Sequence, residues 1–148
     1  MDKGEQLPTR VYQVTRADLV RYAGASLDFN PIHWSDRVAA EVGLPGVIAH
    51  GMYTMALAGR ALVDWAGAPD AVTDFSVRFT RPVVVPADGA AEVQVTGVVR
   101  DLPGPDQAQV DLTVTCGGER VLGAARATMR TCLGKQGANP YTGRPWGE

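Results

Sequence analysis

At 148 residues and 45% hydrophobic, the chain is long enough to bury one substantial core and too short for two such folds in tandem. Its net charge of −2 argues against nucleic acid as a partner. No N-terminal charged-then-apolar segment resembles a signal peptide, so a cytoplasmic protein is expected, with its two cysteines, Cys116 and Cys132, reduced and without a nucleophilic role.

The first informative stretch is Asp28-Phe29-Asn30-Pro31-Ile32-His33. Proline fixes its own φ near about −65° and pushes the residue before it out of the helical region, so Asn30-Pro31 reads as a stiff turn. Asp28 and His33 can converge across it on one small molecule. A carboxylate beside an imidazole is a usual acid/base pair near neutral pH. A purely structural reading of the same residues has Asp28 closing an Asx turn or capping a helix that begins near Ser35, with His33 as a satisfied core histidine.

Next, Ile48-Ala49-His50-Gly51-Met52 leads into a long apolar stretch from Tyr53 to Trp65, interrupted by Arg60. A helix apolar on nearly every face is expected to be buried on all sides, so the rest of the chain should wrap around it. It is too short and too marked by glycine to cross a membrane.

From Thr73 the sequence reads as strands: Thr73–Arg81, Ala91–Asp101, Ala108–Cys116 and Arg120–Thr131, with Pro103-Gly104-Pro105 and Gly117-Gly118 at two connections. Val93, Val95, Gly97 and Val99 alternate with Gln94, Thr96, Val98 and Arg100, and Val110, Leu112, Val114 and Cys116 repeat the period on the next strand. The expected product is an α+β fold in which one antiparallel sheet curls around one apolar helix, occupying residues 1–130. From residue 131 the composition shifts to glycine, proline and polar residues. That tail is expected to be flexible, or to clamp onto the domain or a partner through Tyr141 and Trp146.

These residues together resemble the MaoC-like hydratase/dehydratase family with the hot-dog fold. The resemblance runs from Leu7 to about Met129. It is carried by Tyr22-Ala23-Gly24, by Ser26 to His33, by Ala39 six residues after His33, by Ala49-His50-Gly51-Met52 and by Val77-Arg78-Phe79 with Pro82. Within the family, Trp34, the Leu-Pro opening and the run Trp65, Gly67, Pro69 resemble the single-hot-dog dehydratase subunit of the mycobacterial fatty-acid elongation system.

The resemblance implies reversible hydration of an acyl thioester, with Asp28 and His33 as catalytic residues. It places Gly51, Asn30, His50 and Met52 in the oxyanion and substrate-binding set, with the Gly51 N–H receiving the thioester carbonyl and Asn30 orienting the loop. No cofactor is implied beyond the coenzyme A or phosphopantetheine of the substrate. No metal is expected either, because no third ligand falls at coordinating spacing from His33 and His50. The partner implied is an acyl-CoA or an acyl-carrier protein, with a homodimer expected first and a heterodimer with a second hot-dog subunit as the alternative. Arg78, Arg81, Arg100, Arg120, Arg126 and Arg130 fall on strands, where most are expected to be ordinary solvated faces and some are candidates to frame a tunnel mouth for phosphate or an acidic carrier.

Two positions depart from the family pattern. Leu27 stands where family members usually carry glycine, so a positive φ there would be strained and the turn is either built differently or puts Leu27 in the acyl pocket. Gly59 stands where some hydratases carry serine. Two other readings use the same fold. A thioesterase would want an acidic residue on the central helix, where Asp64 near the far end is the only one, and a non-catalytic acyl-binding subunit would be expected to have lost Asp28 or His33.

Overall fold

The computed structural model describes residues 1–131, so Cys132, Tyr141 and Trp146 lie outside the described residues. In chain order, strand β1 (Gln6–Val14) leads to helix α1 (Arg16–Ser26), a short 3-10 turn (Pro31–His33), helix α2 (Asp36–Glu41) and the long helix α3 (Gly51–Ala66). Strands β2 (Val72–Phe79), β3 (Ala91–Gly104), β4 (Gln107–Cys116) and β5 (Glu119–Arg130) follow. All pairings are antiparallel, in the order β1-β3-β4-β5-β2, which leaves β1 and β2 as edges.

The four strands expected from period and turn signals are present, with ends that differ by at most three residues. Alternation decides their facing. Val93, Val95 and Val99 of β3 and Val110, Leu112 and Val114 of β4 are buried, whereas Glu92, Gln94 and Arg100 are exposed. The β4–β5 turn uses Gly117 and Gly118 at φ 58° and 79°, the paired positive φ that a two-residue hairpin turn requires and glycine supplies without strain. Arg81 falls just past the end of β2 rather than on a strand.

Helix α3 lies on the inner face of the sheet, packed against β1, β2 and β5. Leu57, Ala58, Ala61 and Leu62 are buried in the common core. Burying each leucine contributes roughly 1.5–3 kcal/mol. The expectation of burial on all sides is corrected: Met52, Ala56, Arg60 and Asp64 form an exposed stripe at four-residue spacing. Alanine and glycine made this helix look apolar all round, yet small residues tolerate a solvent-facing side as readily as a core. At its C-terminus the Trp65 indole N–H donates to the Pro8 carbonyl at 2.9 Å, and its ring lies over Gly97, where a Cβ would come within 2.8 Å. The end of α3 is thereby tied across β3 to β1.

Strand β1 and helix α1 are absent from the sequence reading. Pro8 and a bulge between Leu7 and Arg10 interrupt the alternation of β1, which is tolerated because β1 is an edge. Helix α1 buries only Leu19 and Ala23, too few for a visible stripe. Its signal was local: Thr15 and Asp18 form a capping box, each side chain accepting from the other's backbone N–H.

Candidate active site

The loop after α1 is built by a chain of side-chain caps. Leu27 terminates the helix at φ 60°, ψ 20°, so the strained conformation is adopted rather than avoided. Such a conformation costs a β-carbon-bearing residue about 1–2 kcal/mol. The Leu27 side chain is 76% exposed. After this reversal the Asp28 N–H donates to Ser26 Oγ at 3.3 Å, and Asp28 Oδ1 accepts from the Asn30 N–H at 3.2 Å. Asn30 Oδ1 in turn accepts from the Ile32 N–H at 3.2 Å, capping the 3-10 turn with Pro31 at its start. Ser35, not Asp28, caps α2.

Asp28 therefore closes the Asx turn of the structural reading while still facing His33. One carboxylate oxygen closes the Asx turn, and the other, Oδ2, stands 4.0 Å from His33 Nε2. His33 is 7% exposed, and its Nδ1 lies 2.7 Å from the Ile48 carbonyl oxygen. A carbonyl can only accept, so Nδ1 carries the proton and Nε2 presents its lone pair toward Asp28. Burial pushes the His33 pKa below its ordinary value; the Ile48 carbonyl opposes this, neighbouring His50 adds to it, and Asp28 counters it. The result is a neutral imidazole at pH 7, ready to accept a proton beside a half-exposed carboxylate.

His50 lies beneath this pair. It is 2% exposed, its ring stacks on that of His33 with centroids 3.7 Å apart, and its Nε2 is 3.0 Å from the Asp28 carbonyl oxygen. Asp28, His33 and His50 thus bring ligating atoms within 4.8 Å of one another, a third ligand that chain spacing did not reveal. Rings tilted by only 23° with centroids 3.7 Å apart keep their in-plane lone pairs in two nearly parallel planes instead of aiming them at one point. Such a pair suits proton transfer better than a chelate, whose ligands must converge.

His50 is also the residue before α3, and it caps that helix with no side-chain hydrogen bond. Thr15, Asn30 and Ser35 do cap the other described helical segments, so among the described residues α3 alone begins without a side-chain cap, next to the His33–Asp28 pair. The dipole of a 16-residue helix adds positive potential there. Gly51 opens the helix, and a Cβ on it would lie 3.2 Å from the Phe79 ring, so the site holds only a glycine without displacement. A cavity of about 270 Å³ lies against this terminus, lined by Ile48, Gly51, Thr54, Phe79, Arg81 and Leu122 among others. Met52 is half exposed on the first turn. Gly59 faces the Phe75 ring at 3.9 Å from its would-be Cβ.

The roles of Ile48 and Phe79 are not legible in the sequence. The Ile48 contribution is a main-chain carbonyl, independent of side chain and invisible in sequence. The Phe79 contribution depends on the β2 edge returning to the helix N-terminus.

Residues 3–116 match the sequence profile of the MaoC like domain. The chain is 48% identical over 80 residues to 3-hydroxyacyl-thioester dehydratase X of Mycobacterium tuberculosis, covering 54% of this chain and 28% of that protein. It is 30% identical over 104 residues to the (R)-specific enoyl-CoA hydratase of Rhodospirillum rubrum, covering 70% of this chain and 69% of the relative. Among solved structures, a MaoC-like dehydratase superposes with a TM-score of 0.86 at 38% identity, over 89% of this chain and 41% of that one. The chain therefore spans less than a third of the mycobacterial relative and less than half of that solved structure.

Proposed function

Because this chain belongs to the MaoC-like domain family, we propose that it reversibly hydrates an acyl thioester, interconverting trans-2-enoyl and (R)-3-hydroxyacyl groups carried on coenzyme A or a carrier protein. The observation that carries this reading is the Asp28–His33 pair, 4.0 Å apart, set beside an uncapped helix N-terminus. In hydration, a water held between Asp28 Oδ2 and His33 Nε2 loses a proton to Nε2 as its oxygen bonds to Cβ. The electron pair of the α,β-bond moves toward the thioester oxygen, where the Gly51 N–H and the helix dipole stabilise the enolate by about 3–4 kcal/mol. The proton then passes from the pair to Cα on the same face, giving net syn addition. Dehydration reverses each step. The steps add or remove one water without net oxidation or reduction, so no redox cofactor is called upon.

Asp64 supports this reading over thioester hydrolysis. It lies thirteen residues along α3 from Gly51, about 20 Å at 1.5 Å per residue, and it pairs with Arg10 at 3.4 Å.

A second hot-dog domain completes the proposal, in the first instance another copy of this chain. Phe29, Trp34, Met52 and Phe79, each more than half exposed, belong to the segments that build the site, and the β2 edge ends at Phe79. Apolar surface of this kind and an open edge strand are what a partner covers. A cytoplasmic setting accords with this activity, and among the described residues no helix is long and apolar enough to cross a membrane.

The test is hydration of crotonyl-CoA and longer trans-2-enoyl-CoAs, followed by loss of the enoyl-thioester absorbance. Asp28→Asn and His33→Ala are each expected to fold and to lose at least about a hundredfold in turnover. Turnover retained in either variant would remove that residue from the mechanism.

A further inference from the structure

We propose that His50 is a positioning residue: by donating its Nε2 proton to the Asp28 carbonyl and stacking on His33, it fixes both members of the pair relative to the amides of α3. The inference rests on the proposed reaction but concerns a residue that does not line the cavity.

Three observations meet at this side chain. It is one of three buried polar or charged residues among the described residues, the others being His33 and Thr54. Its Nε2 reaches the Asp28 main chain across 22 residues of sequence, the only polar tie from α3 or its cap to the segment carrying the carboxylate among the described hydrogen bonds. Its backbone carbonyl simultaneously accepts from the Thr54 N–H, so the same residue begins the helix whose next residue is Gly51. Asp28, His33 and Gly51 come from different segments, and His50 touches or adjoins all three. Leu27 makes such a tie necessary. The strained turn stores free energy that the loop would release by opening, and opening would carry Asp28 away from His33.

Stacking adds a second constraint. Tyr22 packs on His50 with ring centroids 4.9 Å apart, while His33 lies against it at 3.7 Å, so the ring is held by neighbours from α1 and from the 3-10 turn. With Nε2 donating, Nδ1 is left as a buried acceptor without a partner among the described residues. An imidazole this close disfavours protonation of His33, adding to the effect of burial. The charged and titratable groups facing His33 are Asp28 from the loop and His50 from the helix cap.

Two substitutions separate donation from bulk. Gln at position 50 can place an amide N–H near the Nε2 position, whereas Phe keeps an aromatic stack and donates nothing. In the full chain, His50→Gln is expected to retain most of kcat. His50→Phe is expected to lose about a hundredfold in kcat with KM nearly unchanged, the scale of a misplacement of about 1 Å. A readout independent of turnover is the His33 pKa followed by imidazole NMR. Asp28→Asn lowers it in the wild-type background and in His50→Gln, and no longer does so in His50→Phe, because the carboxylate has moved away. Wild-type kcat in His50→Phe, or equal losses in both variants, would overturn the proposal. Should no enoyl thioester be turned over, the NMR coupling still decides the positioning role while the reaction class fails separately.

Discussion

At His33, burial outweighs the neighbouring carboxylate, and the sign of that balance sets the pH behaviour of the site. The folded pKa lies below the ordinary value of about 6.5 that the unfolded chain retains. Between the two values the unfolded chain binds more protons, so this group's contribution to stability is complete above about 6.5 and is lost as pH falls through the folded pKa. Under the proposed reaction the rate follows the same direction, since Nε2 must be unprotonated to accept from water. We expect an acid limb in kcat/KM whose midpoint lies below about 6.5, and an acid loss of stability that is smaller in His33→Gln, checked by pH–rate profiles and urea unfolding. A midpoint above that value would mean that Asp28, not burial, dominates the imidazole. Much of this was legible because the chemistry is local. Asx caps and proline write themselves into the order Asp-x-Asn-Pro-Ile-His. The positive φ of Leu27 could be named as a problem from sequence, while the tie through His50 could not, because it joins residues 22 positions apart.

Strands β3, β4 and β5 were readable because each has one buried face, and a period of two survives in composition. Strand β1 and helix α1 were not, for opposite reasons: β1 tolerates a proline because it is an edge, and α1 is held by a capping box more than by an apolar stripe. In α3 the apolar pattern overstates burial, because alanine and glycine fit a solvent-facing side as readily as a core. The packing of Trp65 on Gly97 makes a quantitative prediction for these elements. Gly97→Ala forces a Cβ to 2.8 Å from the indole and is expected to cost about 1–3 kcal/mol of stability by overpacking. Chemical denaturation of the purified variant measures this directly. A neutral result would mean that the α3 C-terminus moves freely away from β3.

At the scale of the whole molecule, among the described residues the sheet ends at the two edge strands β1 and β2, and exposed apolar side chains lie beside the candidate site. Sedimentation equilibrium is expected to give twice the chain mass, with Phe79→Asp shifting the balance toward monomer. A monomeric wild type would require a different subunit as partner. The fold class itself was accessible from sequence, since one apolar helix followed by four strands, two of them clearly alternating, admits few arrangements.

The central claim is that Asp28 and His33 act together on one face of the substrate, and stereochemistry tests it most directly. Crotonyl-CoA hydrated in deuterium oxide yields 3-hydroxybutyryl-CoA labelled at Cα, whose relative configuration at Cα and Cβ is read by proton NMR after chiral resolution. The expected product is the (3R) isomer with deuterium and hydroxyl added to the same face. Anti addition would contradict a single acid/base pair on one side of the thioester, and a (3S) product would contradict the (R) assignment of the proposed reaction.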